Sequence, residues 1–342
     1  MVHDPEYERA AAVTAGRIRE TIPENLAEQF GNSCGISSRD FRTCNLVSCG
    51  EIGAVDGSNT LLLESGSLAI VLFRAAQSSY LNLERTRRSL TPMQFAIIGH
   101  GQENEDFPLL YEECFGLPPG TPLGNDDRAR TAGILRDTLE YWVMGQMAES
   151  LEPGGLLLRD GPLRVSHASH DAVLTGIERT CKARGIDLAG ISKQTSATWG
   201  DGHPLLPSVQ SLAEQLGIQA PWWIPIDPAI LDHAQFRQWQ HGQPYVARFH
   251  SRAKSPLKIE LMHDVRETKV ETIMNRLASC SGDGRIPGYP FPLFDAHRTV
   301  VLGEDSVEQV RSDLMQRIAA SGINRQTFEI LFGDYHDEFA RY

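Results

Sequence analysis

The sequence lacks several features that would place a protein in a special class. It has no C-x-x-C pair, so its six cysteines do not show zinc-site spacing and are expected to be free thiols of a reducing compartment. It has no uninterrupted apolar run of membrane-spanning length, because Glu64 and Arg74 break the best candidate, 61–76. Residues 1–9 are polar and acidic where a secretory signal would be apolar. We therefore expect a cytoplasmic protein that does not enter a membrane.

An excess of basic residues is also missing. The formal net charge of −12 at pH 7 argues against a protein that coats nucleic acid through bulk positive charge. It does not exclude a nuclease, since sites that hold divalent cations are themselves acidic. Cys34, Cys44 and Cys49 fall close together in the sequence, and whether they bind anything is left open by their spacing.

Two strand-like segments are each followed by an Asp-Gly pair. The stretch 53–59, Gly-Ala-Val-Asp-Gly-Ser-Asn, places Asp56 at the end of a short apolar strand, and Gly57 beside it removes a Cβ that would block a ligand. A second apolar strand, 156–160, ends at Asp160 and is followed by Gly161. A plain Asp-Gly turn is the alternative at either position. Two such carboxylates in one chain are more informative than one.

The order of predicted elements indicates a mixed α/β fold. A hairpin (60–64 and 68–74) and a third strand (96–98) precede a long helix over 127–150, and strand 156–160, helix 171–184 and strand 188–193 follow. This is the element order of the ribonuclease-H-like fold. We predict one domain over 1–342, with N-terminal helices within 4–30, a ribonuclease-H-like mixed-sheet core at about 50–300 and C-terminal helices over 304–341.

Two polar segments between these elements receive weaker predictions. Residues 107–126 are rich in proline and glycine and are predicted to be a loop. Arg85, Arg87 and Arg88 form a small basic cluster, which we interpret as a solvated polar segment, with phosphate contact as the alternative.

Four residues form a candidate metal-binding constellation. Glu140 lies on the long helix, where a surface ion pair with Arg136 at i,i+4 is the alternative, and His297 follows a proline-pinned loop. With Asp56 and Asp160 they supply oxygen ligands suited to Mg²⁺ or Mn²⁺ and an imidazole that Mn²⁺ accepts. Two ions bridged by a carboxylate can hydrolyse a phosphodiester. Glu149, on the same predicted helix, is the alternative helical ligand.

An ordered set of motifs resembles the NurA nucleases, the partners of HerA-type hexameric ATPases. Each motif is short, but together they span most of the chain in the family's order. They are Val55-Asp56-Gly57-Ser58, Arg136-x-x-Leu139-Glu140, Leu158-x-Asp160-Gly161-x-Leu163, Gly190-Ile191-x-Lys193 and Tyr289-Pro290-x-Pro292-Leu293-x-x-Ala296-His297.

The resemblance implies a homodimer that cleaves DNA with Mn²⁺ or Mg²⁺, with two ions expected, in DNA end processing beside a HerA-like ATPase. It carries over Asp56, Glu140, Asp160 and His297 as metal-site residues. Lys193 would hold the scissile phosphate, unless it is a strand-end lysine that merely reaches solvent, and Tyr289 would position substrate or water. Pro162 departs from the serine usual in the family, and 198–243 matches no part of its pattern.

Two other classes of function stay open at this point. An actin-like or sugar-kinase-like ATP-binding protein would need a second glycine loop for phosphate, and Pro162 after Asp160-Gly161 removes an amide donor from that loop. A non-catalytic assembly subunit of a DNA-processing complex is the other class. Such a subunit would not need its acidic positions, but in this sequence all of the expected acidic positions are filled.

Overall fold

The computed structural model describes residues 4–21, 25–99, 101–231, 239–263, 265–323 and 332. Over these residues the chain is a mixed α/β protein, as predicted. The helices are α1 (Pro5–Thr21), α2 (Leu26–Cys34), α3 (Asp106–Phe115), α4 (Arg128–Ser150), α5 (Ser169–Arg184), α6 (Leu205–Gln215), α7 (Glu267–Ser279), α8 (Phe291–Val300) and α9 (Glu304–Ala320). The strands are β1 (Arg42–Thr43), β2 (Glu51–Glu64), β3 (Ala69–Leu81), β4 (Glu84–Leu90), β5 (Gln94–Ile98), β6 (Leu156–Asp160), β7 (Asp187–Ser192), β8 (Thr198–Trp199), β9 (His203–Pro204), β10 (Trp222–Pro225), β11 (Gly242–Arg248) and β12 (Leu257–Met262).

The chain divides into two compact units. Unit 1 comprises Met1–Val47, Ile191–Gln238 and Gly242–Pro290, and unit 2 comprises Ser48–Gly190, Trp239–His241 and Phe291–Tyr342. A compact unit need not be an independent folding domain. The single domain predicted over 1–342 therefore stays a prediction.

The sheet of unit 2 is built around the long hairpin of β2 and β3. Antiparallel pairing runs from Glu51 opposite Leu81 to Glu64 opposite Ala69. Strand β6 pairs parallel to β2, and the strand order is β7, β6, β2, β3, β4, with β5 also paired to β3. A hairpin followed by a helix, a parallel strand, a helix and a neighbouring strand is the ribonuclease-H-like order predicted from the sequence.

Helices α4 and α8 cover opposite faces of this sheet. A Cβ built on Gly53 would meet the end of the Met147 side chain of α4, so Gly53 faces that helix. On the other face, Ser78 Oγ of β3 donates a hydrogen bond to Pro292 O of α8. Because successive residues of a strand alternate between faces, Asp56 lies on the α8 face. The sheet thus separates the two helices and carries Asp56 toward α8.

The prediction that Asp56 ends a strand was wrong. Strand β2 continues through the Asp-Gly pair to Glu64, because Asp56 and Gly57 pair with Ala76 and Ala75 of β3. The parallel pairing with β6 does stop here, since its last partners are Val55 and Arg159. What ends beside Asp56 is therefore the neighbouring strand β6, whose last residue is Asp160.

Two elements were missed in the polar segments. Helix α3 occupies the first half of the predicted 107–126 loop. Pro108 does not prevent this helix, because it is the third residue of α3 and the first turn of a helix tolerates proline. Strand β4 contains the arginine cluster that was interpreted as a solvated segment. Its residues are mostly exposed, so it carries little of the apolar alternation by which strands are recognised.

Unit 1 packs its own sheet over a separate apolar cluster. The antiparallel strand order is β1, β10, β11, β12. Much of the segment 198–243 lies here, as β8, β9, α6, β10 and the start of β11. Its Trp199 and Trp222 are buried with Phe30 of α2 in one cluster, so this segment supplies core.

The predicted terminal helices fall partly inside the described residues. The N-terminal pair is observed as α1 and α2, and the first C-terminal helix as α9. The predicted second C-terminal helix over 324–341 lies outside the described residues except for Phe332. Within the described ranges, no helix has both the length and the apolar character needed to cross a bilayer.

Candidate metal centre

Three of the four predicted metal-site residues meet in unit 2. Asp56 lies within β2, Asp160 is the last residue of β6, and His297 lies on α8. Each offers one ligand atom, and these atoms all lie within 4.8 Å of one another. Residues far apart in sequence are brought together because β6 ends beside Asp56 and α8 crosses the same face of the sheet.

Asp56 is held from both of its carboxylate oxygens. Oδ1 accepts a hydrogen bond from the Gly57 amide at 2.8 Å, and Oδ2 lies 2.7 Å from Nδ1 of His297. A carboxylate only accepts hydrogen bonds, so Nδ1 must carry a proton in this contact. Asp56 is 6 % exposed, whereas the His297 side chain is 46 % exposed. The cluster therefore opens to solvent on its imidazole side.

Helix α8 is fixed at its middle and at its end, and this places His297. At its middle, Asp295 accepts a hydrogen bond from Tyr80 Oη at 2.8 Å and pairs with Arg85 at 3.2 Å. Burial, with this bond, raises the pKa of the Tyr80 phenol, which keeps it a donor. Near the end of α8, Arg74 donates to the carbonyls of Val300 and Val301, both at 3.0 Å, which satisfies groups that a helix C-terminus leaves unpaired.

Glu140, the fourth predicted residue, is not in the group of three. It is 2 % exposed, with Oε1 3.2 Å from Arg136 Nε and Oε2 3.1 Å from Arg159 Nη2. The Arg136 pair is therefore buried at its acidic end, unlike the surface pair considered from the sequence. Burial raises the pKa of the Glu140 carboxyl to about 7, and the two guanidinium charges oppose that shift.

Glycine at position 57 lets this carboxylate approach the strand beside Asp56. A Cβ built on Gly57 would lie 2.5 Å from Glu140 Oε1 and 2.7 Å from Cγ of Arg136. Glu140 therefore packs against the backbone next to the cluster, with both of its oxygens engaged by arginine. Glu149 is exposed near the end of α4, nine residues and half a helical rotation from Glu140, or about 13 Å along the axis.

Arg159 is the residue of this region that sequence reasoning missed. It is 4 % exposed, and its guanidinium donates to Glu140 and to the carbonyls of Pro162 at 2.7 Å and Arg164 at 3.3 Å. It also lies 4.7 Å from the centroid of the Tyr141 ring. The signal was present, because a charged residue inside an apolar strand such as Leu-Leu-Leu-Arg-Asp requires a buried partner.

A further glycine keeps the loop after Asp160 against β7. A Cβ built on Gly190 would lie 2.7 Å from the Gly161 carbonyl oxygen and 2.7 Å from the Leu163 amide nitrogen. Both are backbone atoms, which a side-chain rotation cannot move aside. Gly190 belongs to one of the motifs singled out in the sequence, and close backbone approach is its structural reason.

Lys193 and Tyr289 meet in unit 1. Lys193 directly follows β7 and is exposed, and its Nζ lies 4.8 Å from the centroid of the Tyr289 ring, a cation–π distance. Tyr289 is 4 % exposed and lies two positions before the first residue of α8. The structure thus brings these two predicted residues together within their own unit.

The chemistry of the cluster fits a divalent cation. Two carboxylates and one imidazole suit Mn²⁺, and the carboxylates suit Mg²⁺. Among the residues that the structure describes, this is the one group of three or more such side chains with converging ligand atoms. Within those ranges, Cys34, Cys44 and Cys49 form neither such a group nor a disulfide.

Comparison with known proteins supports the fold assignment. The sequence matches no protein-family model and no curated protein. The NurA nuclease from Sulfolobus solfataricus is similar in structure, with a TM-score of 0.60 and 14 % identity over 93 % of this chain and 98 % of that one. A NurA structure bound to dAMP and manganese gives a TM-score of 0.52 and 9 % identity over 89 % of this chain and 94 % of that one. At these identities the likeness shows the fold alone, and the chain has the NurA-like fold that its motifs predicted.

Proposed function

We propose that this protein is a metal-dependent DNA nuclease that hydrolyses phosphodiester bonds. The observation that carries the proposal is the convergence of Asp56, Asp160 and His297 within 4.8 Å, on a chain with a NurA-like fold. The structures with this fold include one described as bound to dAMP and manganese. A site of two carboxylates and an imidazole that opens to solvent suits an ion whose other positions face a substrate phosphate.

The chain's own residues would divide the work as follows. Asp56, Asp160 and His297 hold the ion, which when bound supplies Lewis-acid activation of water and charge stabilisation at the phosphate. The Gly57 amide fixes Oδ1 of Asp56 and so orients its carboxylate. Because His297 Nδ1 donates to Asp56 Oδ2 at 2.7 Å, Nδ1 could ligate an ion only in the tautomer that carries its proton on Nε2.

Glu140 would act beside this centre, and Lys193 and Tyr289 are proposed as substrate-binding residues on the motifs of the sequence. Glu140, beside Asp56 across Gly57, is proposed as a further carboxylate of the site, with Arg136 and Arg159 balancing its charge. Lys193 would hold a phosphate, since a lysine over an aromatic face keeps its ammonium oriented. Tyr289 would position that lysine and the substrate.

Finer features are proposed on the motifs of the sequence. They are dependence on Mn²⁺ or Mg²⁺ with two ions, cleavage of single-stranded DNA, a homodimer, a cytoplasmic setting and a HerA-like hexameric ATPase as partner. The acidic balance of −12 supports the last of these, because an acidic protein gains from a partner that brings duplex DNA to it.

The test is substitution of each cluster residue by a near-isosteric or shortened side chain. Asp56→Asn, Asp160→Asn and His297→Ala should each weaken Mn²⁺ binding in calorimetry. The two Asp variants should lower cleavage of a single-stranded oligonucleotide by at least about a hundredfold, as for loss of a group on which the chemistry depends. Asp201→Asn, at an exposed position in unit 1, is the matched control and should behave like the unsubstituted protein.

Two results would contradict the proposal. Full cleavage in excess EDTA would show that the reaction needs no metal. Unchanged Mn²⁺ affinity in all three variants would show that the cluster does not bind the ion. Nucleotide binding by the isolated protein without DNA cleavage would instead favour the ATP-binding class.

A further inference from the structure

The arginines of β4 form a charged surface of unit 2 that the proposed chemistry leaves unused. Arg85, Arg87 and Arg88 lie within seven consecutive residues and are all exposed. Strand β4 is the last in the strand order of that sheet. In a chain with a net charge of −12, three exposed arginines on one short strand concentrate positive potential.

Register places Arg88 on the same face of the sheet as the metal-binding cluster. Arg88 pairs with Ser78, and Ser78 Oγ donates to Pro292 O of α8. Asp56 faces α8 as well, through its contact with His297. Arg87 pairs with Ser79 and points to the opposite face, because adjacent residues of a strand alternate.

Register also gives the separation of Arg88 from the cluster. Leu90 of β4, Ala76 of β3 and Asp56 of β2 lie in one row across the three strands. Arg88 is two residues along β4 from this row, so its Cα is about 12 Å from that of Asp56, given strand spacings near 4.8 Å and a rise near 3.4 Å. An arginine side chain at that distance reaches the phosphates next to one bound at the cluster.

Helix α8 adds a second exposed arginine, next in sequence to a residue of the cluster. Arg298 is exposed, directly follows His297, and has its guanidinium 5.8 Å from the Phe294 ring centroid. Arg85 is partly neutralised by Asp295 at 3.2 Å. Within the described ranges, neither Arg88 nor Arg298 forms an ion pair with a carboxylate. We call Arg88 and Arg298 the basic strip.

We propose that the basic strip binds the phosphate backbone of a single-stranded DNA chain whose scissile phosphate lies at the Asp56, Asp160 and His297 cluster. The inference rests on the proposed function. It adds a path for the substrate, which would run from the cluster over α8 to the edge of the sheet. Guanidinium groups pair with phosphate through two parallel hydrogen bonds, and such contacts do not depend on base sequence.

Charged residues on an edge strand have another recognised use, since they prevent edge-to-edge pairing of sheets. That use requires charge on β4 irrespective of the face to which it points. Arg87 and Arg88 are adjacent, equally charged and both exposed, but they lie on opposite faces. They therefore form a matched pair that separates the two explanations.

The experiment measures fluorescence anisotropy of a labelled oligothymidylate across a series of salt concentrations, in EDTA to prevent turnover. Arg88→Gln and Arg298→Gln should each weaken binding and reduce the slope of log affinity against log salt by about 0.7, the value for one phosphate contact on a single strand. Arg87→Gln should leave both quantities unchanged. Thermal unfolding of each variant checks that the exposed substitutions leave the fold intact.

Equal changes in Arg87→Gln and Arg88→Gln would overturn the inference, because bulk charge would then explain them. No change in either strip variant, or no binding by the unsubstituted protein, would overturn it as well. Failure of the proposed function looks different: the protein would bind DNA through the strip but would not cleave it with Mn²⁺ or Mg²⁺.

Discussion

At the scale of single residues, the buried charges beneath the cluster constrain the chain most. Arg159 satisfies Glu140 and two backbone carbonyls of the loop after Asp160 from a position that is 4 % exposed. Asp137 adds a second carboxylate, 3.6 Å from Arg159 and 2.7 Å from Arg136. The arginines pull the pKa of Asp137 below its usual value although burial alone would raise it. Such a network is stable only when every member is present.

Arg159→Met is therefore expected to lower the free energy of unfolding by about 3–5 kcal/mol, the cost of leaving a buried charge without its partner. Chemical denaturation measures this. Adding Glu140→Gln to Arg159→Met should recover part of the loss, because the uncompensated carboxylate is then gone. Arg179→Met on the exposed side of α5 is the control, expected to change stability by less than about 0.5 kcal/mol. A loss from Arg159→Met no larger than in that control would show that the network contributes little.

The sequence predicted the cluster better than its surroundings. Asp56 and Asp160 were recognised because a carboxylate and a glycine after an apolar strand form a local pattern, and His297 because a proline-pinned loop precedes it. Arg159 was missed because its partners, Glu140 and the Pro162 carbonyl, are set by the packing of α4 on the sheet. No spacing along the chain encodes that contact.

At the scale of elements, close backbone approach fixes the loop that carries Asp160. Gly190 of β7 is expected to be intolerant of a side chain, since its Cβ would lie 2.7 Å from two backbone atoms of the 161–163 segment. Gly190→Ala should destabilise the protein by about 1–3 kcal/mol, as for overpacking of a core. It should also weaken Mn²⁺ binding, because the end of β6 must shift.

Gly176→Ala is the control for that substitution. Gly176 lies on α5, and a Cβ built there meets nothing within 4 Å. Alanine in a helix interior is favoured over glycine by roughly 0.5–1 kcal/mol, so this variant should be slightly more stable. Chemical denaturation measures the stability of both variants, and calorimetry measures their Mn²⁺ affinity. If Gly190→Ala matches Gly176→Ala in both quantities, the close contact of Gly190 is easily relieved.

Elements were predicted well where apolar periodicity was strong and poorly where it was weak. Helix α4 was predicted to within one residue of its start, and its N-cap, Asp127, accepts a hydrogen bond from the Arg130 amide at 3.0 Å. Strand β4 was missed because a sheet edge needs no buried side chains and so leaves no alternating pattern. The extent of β2 was underestimated because its partner β3, rather than its own composition, continues it through Asp56 and Gly57.

At the scale of the whole molecule, histidines in unit 2 make stability depend on pH in opposite directions. His241 lies between Glu178 Oε2 at 3.3 Å and Asp171 Oδ1 at 2.9 Å, and these bonds raise its pKa. Its contribution is therefore fully present below its unfolded pKa and is lost as pH rises through its folded pKa. His170 is fully buried, and burial lowers its pKa to about 3. Stability therefore falls as pH drops from the unfolded value near 6.5 toward 3.

His241→Gln should accordingly lower the melting temperature more at mildly acidic pH than at alkaline pH. The reason is that the ion pairs with Glu178 and Asp171 exist only while the imidazole is protonated. Melting curves of the variant and of the unsubstituted protein at both pH values measure the difference. His263→Gln, at an exposed position, is the control and should show no such pH dependence. The same loss at both pH values would mean that His241 acts by packing alone.

The overall fold was predictable because the motifs stand in a fixed order along the chain. Each is four to nine residues long and weak alone, yet their sequence reproduces the order of β2, α4, β6 and β7. The partition into two units was not predictable, because unit 1 is assembled from three separate stretches of chain. The amino-acid composition does not change at the ends of those stretches along the chain. Only contacts in three dimensions reveal the boundary.

The long sequence separation between Asp56 and His297 has a consequence during biosynthesis. The two residues are 241 positions apart, and α8 begins only at Phe291. A ribosome-bound chain can form the β2–β3 hairpin and add β6 while it still lacks the imidazole. The cluster then consists of two carboxylates until translation has passed α8. A chain in the middle of synthesis, close to its own messenger and to other nucleic acid, thus carries an incomplete site.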